Sequence, residues 1–128
     1  MIVEFEADIP PTLNEQIDLA RTHWSKSAKV KEEETEEIAK GLIGLHQFHD
    51  KVWIDFLWMV RNFGSDQDNI EASRKYIMDG MVLAGMIKDD SLMWINPPTI
   101  HDYIRGDNTV RVRVSDRPLW KLTSLVDT

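Results

Sequence analysis

The segment from Lys51 to Arg61 constrains the fold more than any other part of the chain. One face of this segment is wholly apolar, whereas Asp55 and Arg61 interrupt the other face. The apolar face consists of Val52, Ile54, Phe56, Trp58 and Val60. Because successive side chains of a β-strand point to opposite faces, this alternation predicts a strand, and its bulk predicts a central place in a sheet.

Other segments predict further strands. Residues 2–9 alternate apolar and acidic side chains and end at two prolines, and Thr109–Val114 alternates valine with arginine. The apolar run Leu92–Ile95 stops at Pro97, which predicts a strand end or an edge strand. The turn-forming residues before Thr109 predict a reversal of the chain there.

Two helices are predicted between the strands. The first extends from Leu13 to about Leu45, with a candidate break over Trp24-Ser25-Lys26-Ser27, and the second from Asn69 to Ala84. Gly85 suits the left-handed position just beyond that helix. The element order is therefore β-α-β-α-β-β, which predicts an α+β fold in which a mixed four-stranded sheet carries two main helices.

Composition limits the classes of protein to consider. A chain of 128 residues accommodates one domain, 1–128, and the absence of Cys excludes disulfide frameworks and thiol chemistry. No apolar stretch approaches the roughly 20 residues that span a bilayer, and the first residues do not resemble a secretory signal, so we expect a cytoplasmic protein without membrane contact. The net charge of −7 argues against a long phosphate-binding groove, although much of it comes from the run Glu32–Glu37.

Carboxylates concentrate around the second predicted helix. Asp66 and Asp68 precede it, and Asp89 and Asp90 follow it. Helix capping is an alternative for one of the first two, but it does not explain two adjacent acids beyond a helix C-terminus, where the helix dipole disfavours them. Oxygen ligands at this density predict a site for Mg²⁺, with Mn²⁺ as a substitute.

Other sites fit the sequence less well. An EF-hand loop beginning at Asp66 requires an oxygen ligand and then glycine where Ile70 and Glu71 stand. His46 and His49 lack an adjacent third ligand for zinc, and His101 is distant in sequence. No serine-hydrolase, phosphate-loop or dinucleotide-binding motif is present.

The acidic segment resembles a known family. Asp66-x-Asp68-Asn69, a helix with Lys75 and Asp79 four apart, Ala84-Gly85 and then Asp89-Asp90 resemble the RusA family of bacterial and prophage Holliday junction resolvases. The opening Ile9-Pro10-Pro11-Thr12-Leu13-Asn14 is similar to the family's proline-rich start. The resemblance covers most of residues 1–115, and residues 116–128 have no counterpart in it.

The resemblance implies a function and roles for individual residues. Asp66, Asp68 and Asp90 would be the essential metal-binding carboxylates, with Asp89 as a helper and Lys75 as the catalytic basic residue. The protein would be a Mg²⁺-dependent homodimer that resolves four-way junction DNA by paired nicks. The interval from Asp68 to Lys75 is three residues longer than in well-known members, so Arg74 competes with Lys75 for the basic role.

Several side chains are candidates for contact with DNA, each with a plain alternative as solvated surface. Arg111 and Arg113 share one strand face about 7 Å apart, close to the spacing of successive phosphates. The other candidates are Asn14, Arg21, Lys26, Lys29 and Arg74. Trp24 and Trp120 are candidates to stack on bases, with a place in the core or in an interface as the alternative.

Two other functions stay open at this stage. A non-catalytic junction-binding or phage interaction module could use the same fold, and a different Mg²⁺-dependent phosphodiesterase could act on other nucleic acids.

Helix geometry raises the question of whether one chain can bring the aspartates together. If 68–84 is one unbroken helix, the Cα atoms of Asp68 and Asp90 stay at least about 8 Å apart. The helix must then break, or two chains must share a site.

Overall fold

The computed structural model describes residues 1–22 and 24–119, which form an α+β fold with a four-stranded mixed sheet and helices packed on it, as the sequence predicts. The elements are β1 (Ile2–Asp8), α1 (Leu13–Thr22), α2 (Trp24–Gly41), β2 (Trp53–Val60), α3 (Gln67–Glu71), α4 (Arg74–Leu83), β3 (Ile100–Arg105) and β4 (Thr109–Ser115). Trp120 and the rest of the C-terminal tail lie outside the described residues. Among the described helices, none has the length and apolar character needed to span a bilayer.

The sheet has the strand order β1-β4-β2-β3. Strand β4 pairs antiparallel with both β1 and β2, whereas β3 pairs parallel with β2. The predicted central position of β2 is therefore confirmed. The parallel pairing sets Phe56 beside His101 and Trp58 beside Tyr103, which brings two polar side chains of β3 next to the main aromatic residues of the core.

The core lies between one face of the sheet and the helices. Phe56 and Trp58 of β2 are fully buried, and their rings stack with centroids 5.4 Å apart. Ile77 and Met81 of α4 are equally inaccessible. Burial of a large apolar side chain contributes roughly 1.5–3 kcal/mol, so β2 and α4 form the most strongly stabilised part of the fold.

Two glycines are required by the way α4 packs and ends. A Cβ atom on Gly80 would lie 2.6 Å from Cγ2 of Ile38, so only glycine lets α2 and α4 approach this closely. Gly85 follows α4 with a φ of +79°, which confirms the predicted left-handed position. The amide of Met86 then donates to the carbonyl of Met81 and closes the helix end.

The predicted third strand was wrong in position. Residues 91–95 form a turn in which the amides of Trp94 and Ile95 both donate to the carbonyl of Ser91. Ile95 forms an isolated bridge with Val52, and the third strand begins at Ile100. The physical reason is that Pro97 and the proline after it have no amide hydrogen, so they cannot continue a ladder from the apolar run.

The first predicted helix ends earlier than predicted, and the second is divided. The structure describes the first as α1 and α2 on either side of residue 23, which lies outside the described residues; residues 24–27, the candidate break, are helical within α2, so no break occurs there, and α2 ends at Gly41. The second separates into α3 and α4 because the hydroxyl of Ser73 donates to the carbonyl of Ile70 at 2.7 Å, and its amide donates to the same oxygen. The unbroken helix from Asn69 to Ala84 was therefore a wrong prediction.

Candidate functional site

The first pair of aspartates lies at the start of α3. Asp66 occupies the N-cap position with φ −68° and ψ 147°, but its side chain makes no capping hydrogen bond to the described helix. Asp68 lies in the first turn, and both side chains are exposed. Capping by the side chain therefore does not account for Asp66, and both carboxylates face solvent.

Asn69 joins this segment to the start of α1. Its Oδ1 atom accepts a hydrogen bond from the backbone amide of Asn14 at 2.9 Å, and its Nδ2 atom donates to Oγ of Ser65 at 2.9 Å. A cleft of about 300 Å³ opens between the two segments, with Pro10 and Asn69 in its lining. The proline-rich opening and the first pair of aspartates are thus neighbours in space.

The second pair of aspartates lies beside the start of α4. Nζ of Lys75 is 2.7 Å from Oδ2 of Asp90 and 3.3 Å from Oδ1 of Asp79. The hydrogen bond between Lys75 and Asp90 raises the pKa of the lysine and lowers the pKa of the aspartate. Oδ1 of Asp89 accepts the amide of Asp90 at 2.8 Å and so shapes the turn that presents Asp90.

Arg74 and Lys75 point to different partners. Both line a cleft of about 170 Å³ together with Asp90. Lys75 is the residue in contact with Asp90, whereas the charge of Arg74 acts on His101. Burial lowers the pKa of His101, Arg74 lowers it further and Glu71 opposes the shift. Of the two basic side chains that line this cleft, Lys75 is therefore the one paired with Asp90.

A polar cluster connects α3 with β3. Nε1 of Trp58 donates to Nδ1 of His101 at 3.0 Å, and Nε2 of His101 lies 3.5 Å from Oε1 of Glu71. The Tyr103 hydroxyl donates to Oε2 of the same glutamate. Burial raises the pKa of Tyr103, and the hydrogen bond to Glu71 and the charge of Asp68 raise it further. The charge of Asp68 therefore acts on Tyr103, whereas the hydrogen bond of Tyr103 is to Glu71.

The arginines of β4 are engaged with carboxylates of the same sheet face. Nη2 of Arg111 lies 2.8 Å from Oε1 of Glu6, and its Nε atom lies 3.3 Å from Oε1 of Glu4. Arg113 binds Asp55, which is buried although it lies on this face. Contact with phosphate would have to replace these ion pairs, and the arrangement favours the alternative of a strand face with internal ion pairs.

The other basic candidates lie around the junction of α1 and α2. Arg21, Lys26 and Lys29 are exposed, and Nζ of Lys29 lies 3.9 Å from Glu33. Trp24 stands among them with 79% of its surface exposed, so the alternative of core packing does not hold for this tryptophan. The junction presents an aromatic ring with cations near it in sequence.

The predicted carboxylates are of the ligand type that Mg²⁺ prefers, but too few of them lie together in the described residues to form a three-ligand site. Within residues 1–22 and 24–119, no three Asp, Glu or His side chains lie close enough together to hold one metal ion. Mg²⁺ is commonly bound through one or two carboxylates, with water and substrate phosphate as further ligands. The exposed oxygens of Asp66 and Asp68 suit that mode, whereas Asp90 is already bound to Lys75.

The sequence-based prediction missed Glu71, His101 and Tyr103 as parts of this site. His101 was considered only as a zinc ligand distant in sequence from His46 and His49, and the third strand was placed elsewhere. A signal was present, since His101 and Tyr103 stand two positions apart and therefore share one face of any strand. Neither the protein-family models nor the curated proteins give a match to this chain.

Proposed function

We propose that this protein is a Mg²⁺-dependent endodeoxyribonuclease that cleaves branched DNA and resolves four-way junctions by paired nicks. The contact between Lys75 and Asp90 is the observation that carries the proposal. It pairs a partly exposed ammonium group with a carboxylate, close in sequence to the exposed aspartates of α3. The motif resemblance in the sequence supplies the reaction, and this pairing supports the role of Lys75.

The side chains divide the chemistry in a defined way. Asp66 and Asp68 would hold Mg²⁺. Within the described residues Asp90 does not form a three-ligand group with them, so it would be a further ligand only if a second chain supplied it and phosphate drew Lys75 away from it. Bound Mg²⁺ polarises a phosphodiester oxygen and lowers the pKa of a bound water. The Lys75 ammonium would stabilise the charge that develops on the phosphate. Arg74, which lines the same cleft, would orient the DNA backbone.

Contacts with DNA would come from surfaces whose cations are available. Arg21, Lys26 and Lys29 at the α1–α2 junction meet this condition better than Arg111 and Arg113, which are paired with carboxylates. Phosphate contacts give affinity that falls as salt concentration rises. The glutamate run of α2 would keep the rest of that helix away from the duplex by charge repulsion.

A homodimer is part of the proposal, because paired nicks on opposed strands need two sites. Whether each site uses one chain or two can be tested by mixing Asp66→Asn and Asp90→Asn proteins after subunit exchange. If two chains share a site, one site of the heterodimer regains all wild-type aspartates and single nicks return. If each chain forms its own site, confirmed heterodimers stay inactive.

The test of the proposed function is a panel of labelled nucleic acids with Mg²⁺ or EDTA. The panel contains a four-way junction, a duplex, a single strand and an RNA. We expect Mg²⁺-dependent nicking of the junction, its loss in Asp66→Asn, and its retention in Asp50→Asn, which changes an exposed aspartate outside the site. Metal-dependent cleavage of RNA alone indicates another phosphodiesterase, and junction binding without cleavage indicates a non-catalytic module.

A further inference from the structure

Two side chains of β3 reach the same carboxylate on α3. His101 and Tyr103 share one face of β3, and each contacts a different oxygen of Glu71. We propose that His101 and Tyr103 are positioning residues that hold Glu71 and thereby fix α3, with its aspartates, against the sheet. This inference rests on the proposed function, because it assigns a purpose to the orientation of those aspartates.

The hydrogen bonds around His101 have a defined direction. An indole nitrogen can only donate, so the contact from Trp58 to Nδ1 means that Nδ1 carries no proton. The proton of the neutral ring is therefore on Nε2, which faces Glu71. The ring is also stacked on Phe56 at 5.1 Å between centroids, with an interplanar angle of 7°. His101 is thus held by a ring on its face and a donor at its edge.

Tyr103 contacts the second carboxylate oxygen of Glu71. Its hydroxyl donates to Oε2 of Glu71, whereas His101 approaches Oε1. Both oxygens of Glu71 are therefore engaged, and its rotation is restricted. Glu71 is the last residue of α3 and lies three positions after Asp68, so fixing its side chain fixes the turn that carries Asp68.

The charges around the cluster explain why this grip is needed. Asp68 and Glu71 lie three residues apart on α3, a spacing at which like charges repel. The donors Tyr103 and His101 offset that repulsion on the sheet side. The other charged groups that act on His101 are Arg74 of α4, Asp55 of β2 and Asp102 of its own strand. Without the donors Tyr103 and His101, this repulsion would push the carboxylates of Asp68 and Glu71 apart.

The test removes one hydroxyl and measures metal binding apart from cleavage. Full-length wild-type, Tyr103→Phe and Tyr76→Phe proteins are titrated with Mn²⁺ while free Mn²⁺ is followed by electron paramagnetic resonance. Tyr76 is a buried tyrosine of α4 outside the cluster and serves as the matched control. Loss of a group bonded directly to a metal ligand weakens binding about 10- to 100-fold, and Tyr103 acts on Asp68 through Glu71, so the lower end of that range, about 10-fold, applies. We expect this loss in Tyr103→Phe and wild-type affinity in Tyr76→Phe.

A conservative pair at Glu71 separates positioning from direct ligation. Glutamine can accept from His101 with its oxygen and donate to the Tyr103 oxygen with its amide. Glu71→Gln should therefore keep near-wild-type Mn²⁺ affinity and nicking rate, whereas Glu71→Ala should lose both. Equal loss in the two variants would make Glu71 a ligand and overturn the proposal. This pair also decides the matter if Tyr103→Phe unfolds.

The possible failures can be told apart. If the wild-type protein binds no Mn²⁺ and nicks no junction, the proposed function fails and the positioning role fails with it. If the wild-type protein does both and Tyr103→Phe equals it in affinity and in metal requirement, the positioning role alone is wrong. A lower melting temperature of Tyr103→Phe with unchanged Mn²⁺ affinity would likewise reduce the cluster to a stabilising contact.

Discussion

Nζ of Lys75 lies 2.7 Å from Oδ2 of Asp90, across the 15 residues that separate them in sequence. The same ammonium group also lies 3.3 Å from Asp79, one helical turn along α4. Lys75 therefore bridges two carboxylates, one from its own helix and one from the turn beyond it. Half-exposed ion pairs contribute at most about 1 kcal/mol to stability, so this bridge contributes little to folding.

Lys75→Met is expected to slow junction nicking about 100-fold at saturating Mg²⁺, because a charge that stabilises the transition state is lost. Methionine keeps much of the side-chain length, so junction binding should change little. Arg74→Met is the matched comparison and should slow nicking less, since Arg74 acts on His101 rather than on Asp90. A larger defect in Arg74→Met than in Lys75→Met would reverse the assignment.

Asp66→Ala is expected to abolish nicking and to leave the metal-free protein almost as stable as the wild type. A capping aspartate contributes about 1 kcal/mol, but the Asp66 side chain makes no capping bond to the described helix. The free energy of unfolding should change by less than about 0.5 kcal/mol. Urea denaturation in EDTA measures it, with Asp50→Ala as the control. A loss near 1 kcal/mol would support the capping role instead.

His101 should make stability depend on pH below neutrality. Burial lowers its pKa in the folded state below the ordinary value of 6.5. As pH falls through 6.5, the unfolded chain gains a proton that the folded chain does not, so stability decreases. The limiting slope for one proton is about 1.4 kcal/mol per pH unit. The stability contributed by this histidine is fully present above pH 6.5.

His101→Asn tests this linkage, because the asparagine Oδ1 atom can accept the Trp58 proton in place of Nδ1. Urea denaturation from pH 7.5 down to about pH 5 should show a shallower decline for the variant than for the wild type. Parallel curves for the two proteins would mean that His101 is protonated equally in both states, which contradicts its burial beside Arg74.

Trp24→Ala should weaken junction binding while leaving stability unchanged, because its side chain is 79% exposed and cations lie near it in sequence. Stacking on a base contributes roughly 1–3 kcal/mol, which corresponds to a loss of affinity of at least about fivefold. Ile43→Ala is the control, since that side chain is 76% exposed beyond the other end of α2. Equal affinities for the two variants would exclude the junction of α1 and α2 from DNA binding.

The fold could be predicted where the pattern is local. The apolar face from Val52 to Val60 defines β2 without further information, and Gly85 marks the end of α4. The third strand, Ile100–Arg105, could not be found in this way, because His101 and Tyr103 stand on its inner face, where an apolar pattern would be expected. The strand pairs with β2, and His101 stacks on Phe56 of that strand, a contact between residues distant in sequence.

The candidate site could likewise be predicted only where it depends on residues that are close in sequence. The aspartates were identified from their density in the sequence and Lys75 from the family resemblance, but the direct contact of Lys75 with Asp90 depends on the turn after Gly85. The break at Ser73 depends on a side-chain hydrogen bond that helical periodicity does not reveal. Glu71 was not predicted as part of the site, because its partners His101 and Tyr103 lie on β3, and the third strand was predicted at another position.

Product mapping on a four-way junction, labelled on each strand in turn, tests directly whether the protein makes paired nicks that depend on Mg²⁺. With Mg²⁺, we expect wild-type protein to produce nicks at symmetrical positions on two opposed strands. EDTA and Asp66→Asn should each abolish these nicks, while Asp66→Asn still shifts the junction in a binding assay. If the products formed with Mg²⁺ do not differ from those formed in EDTA, the protein is not a Mg²⁺-dependent junction nuclease.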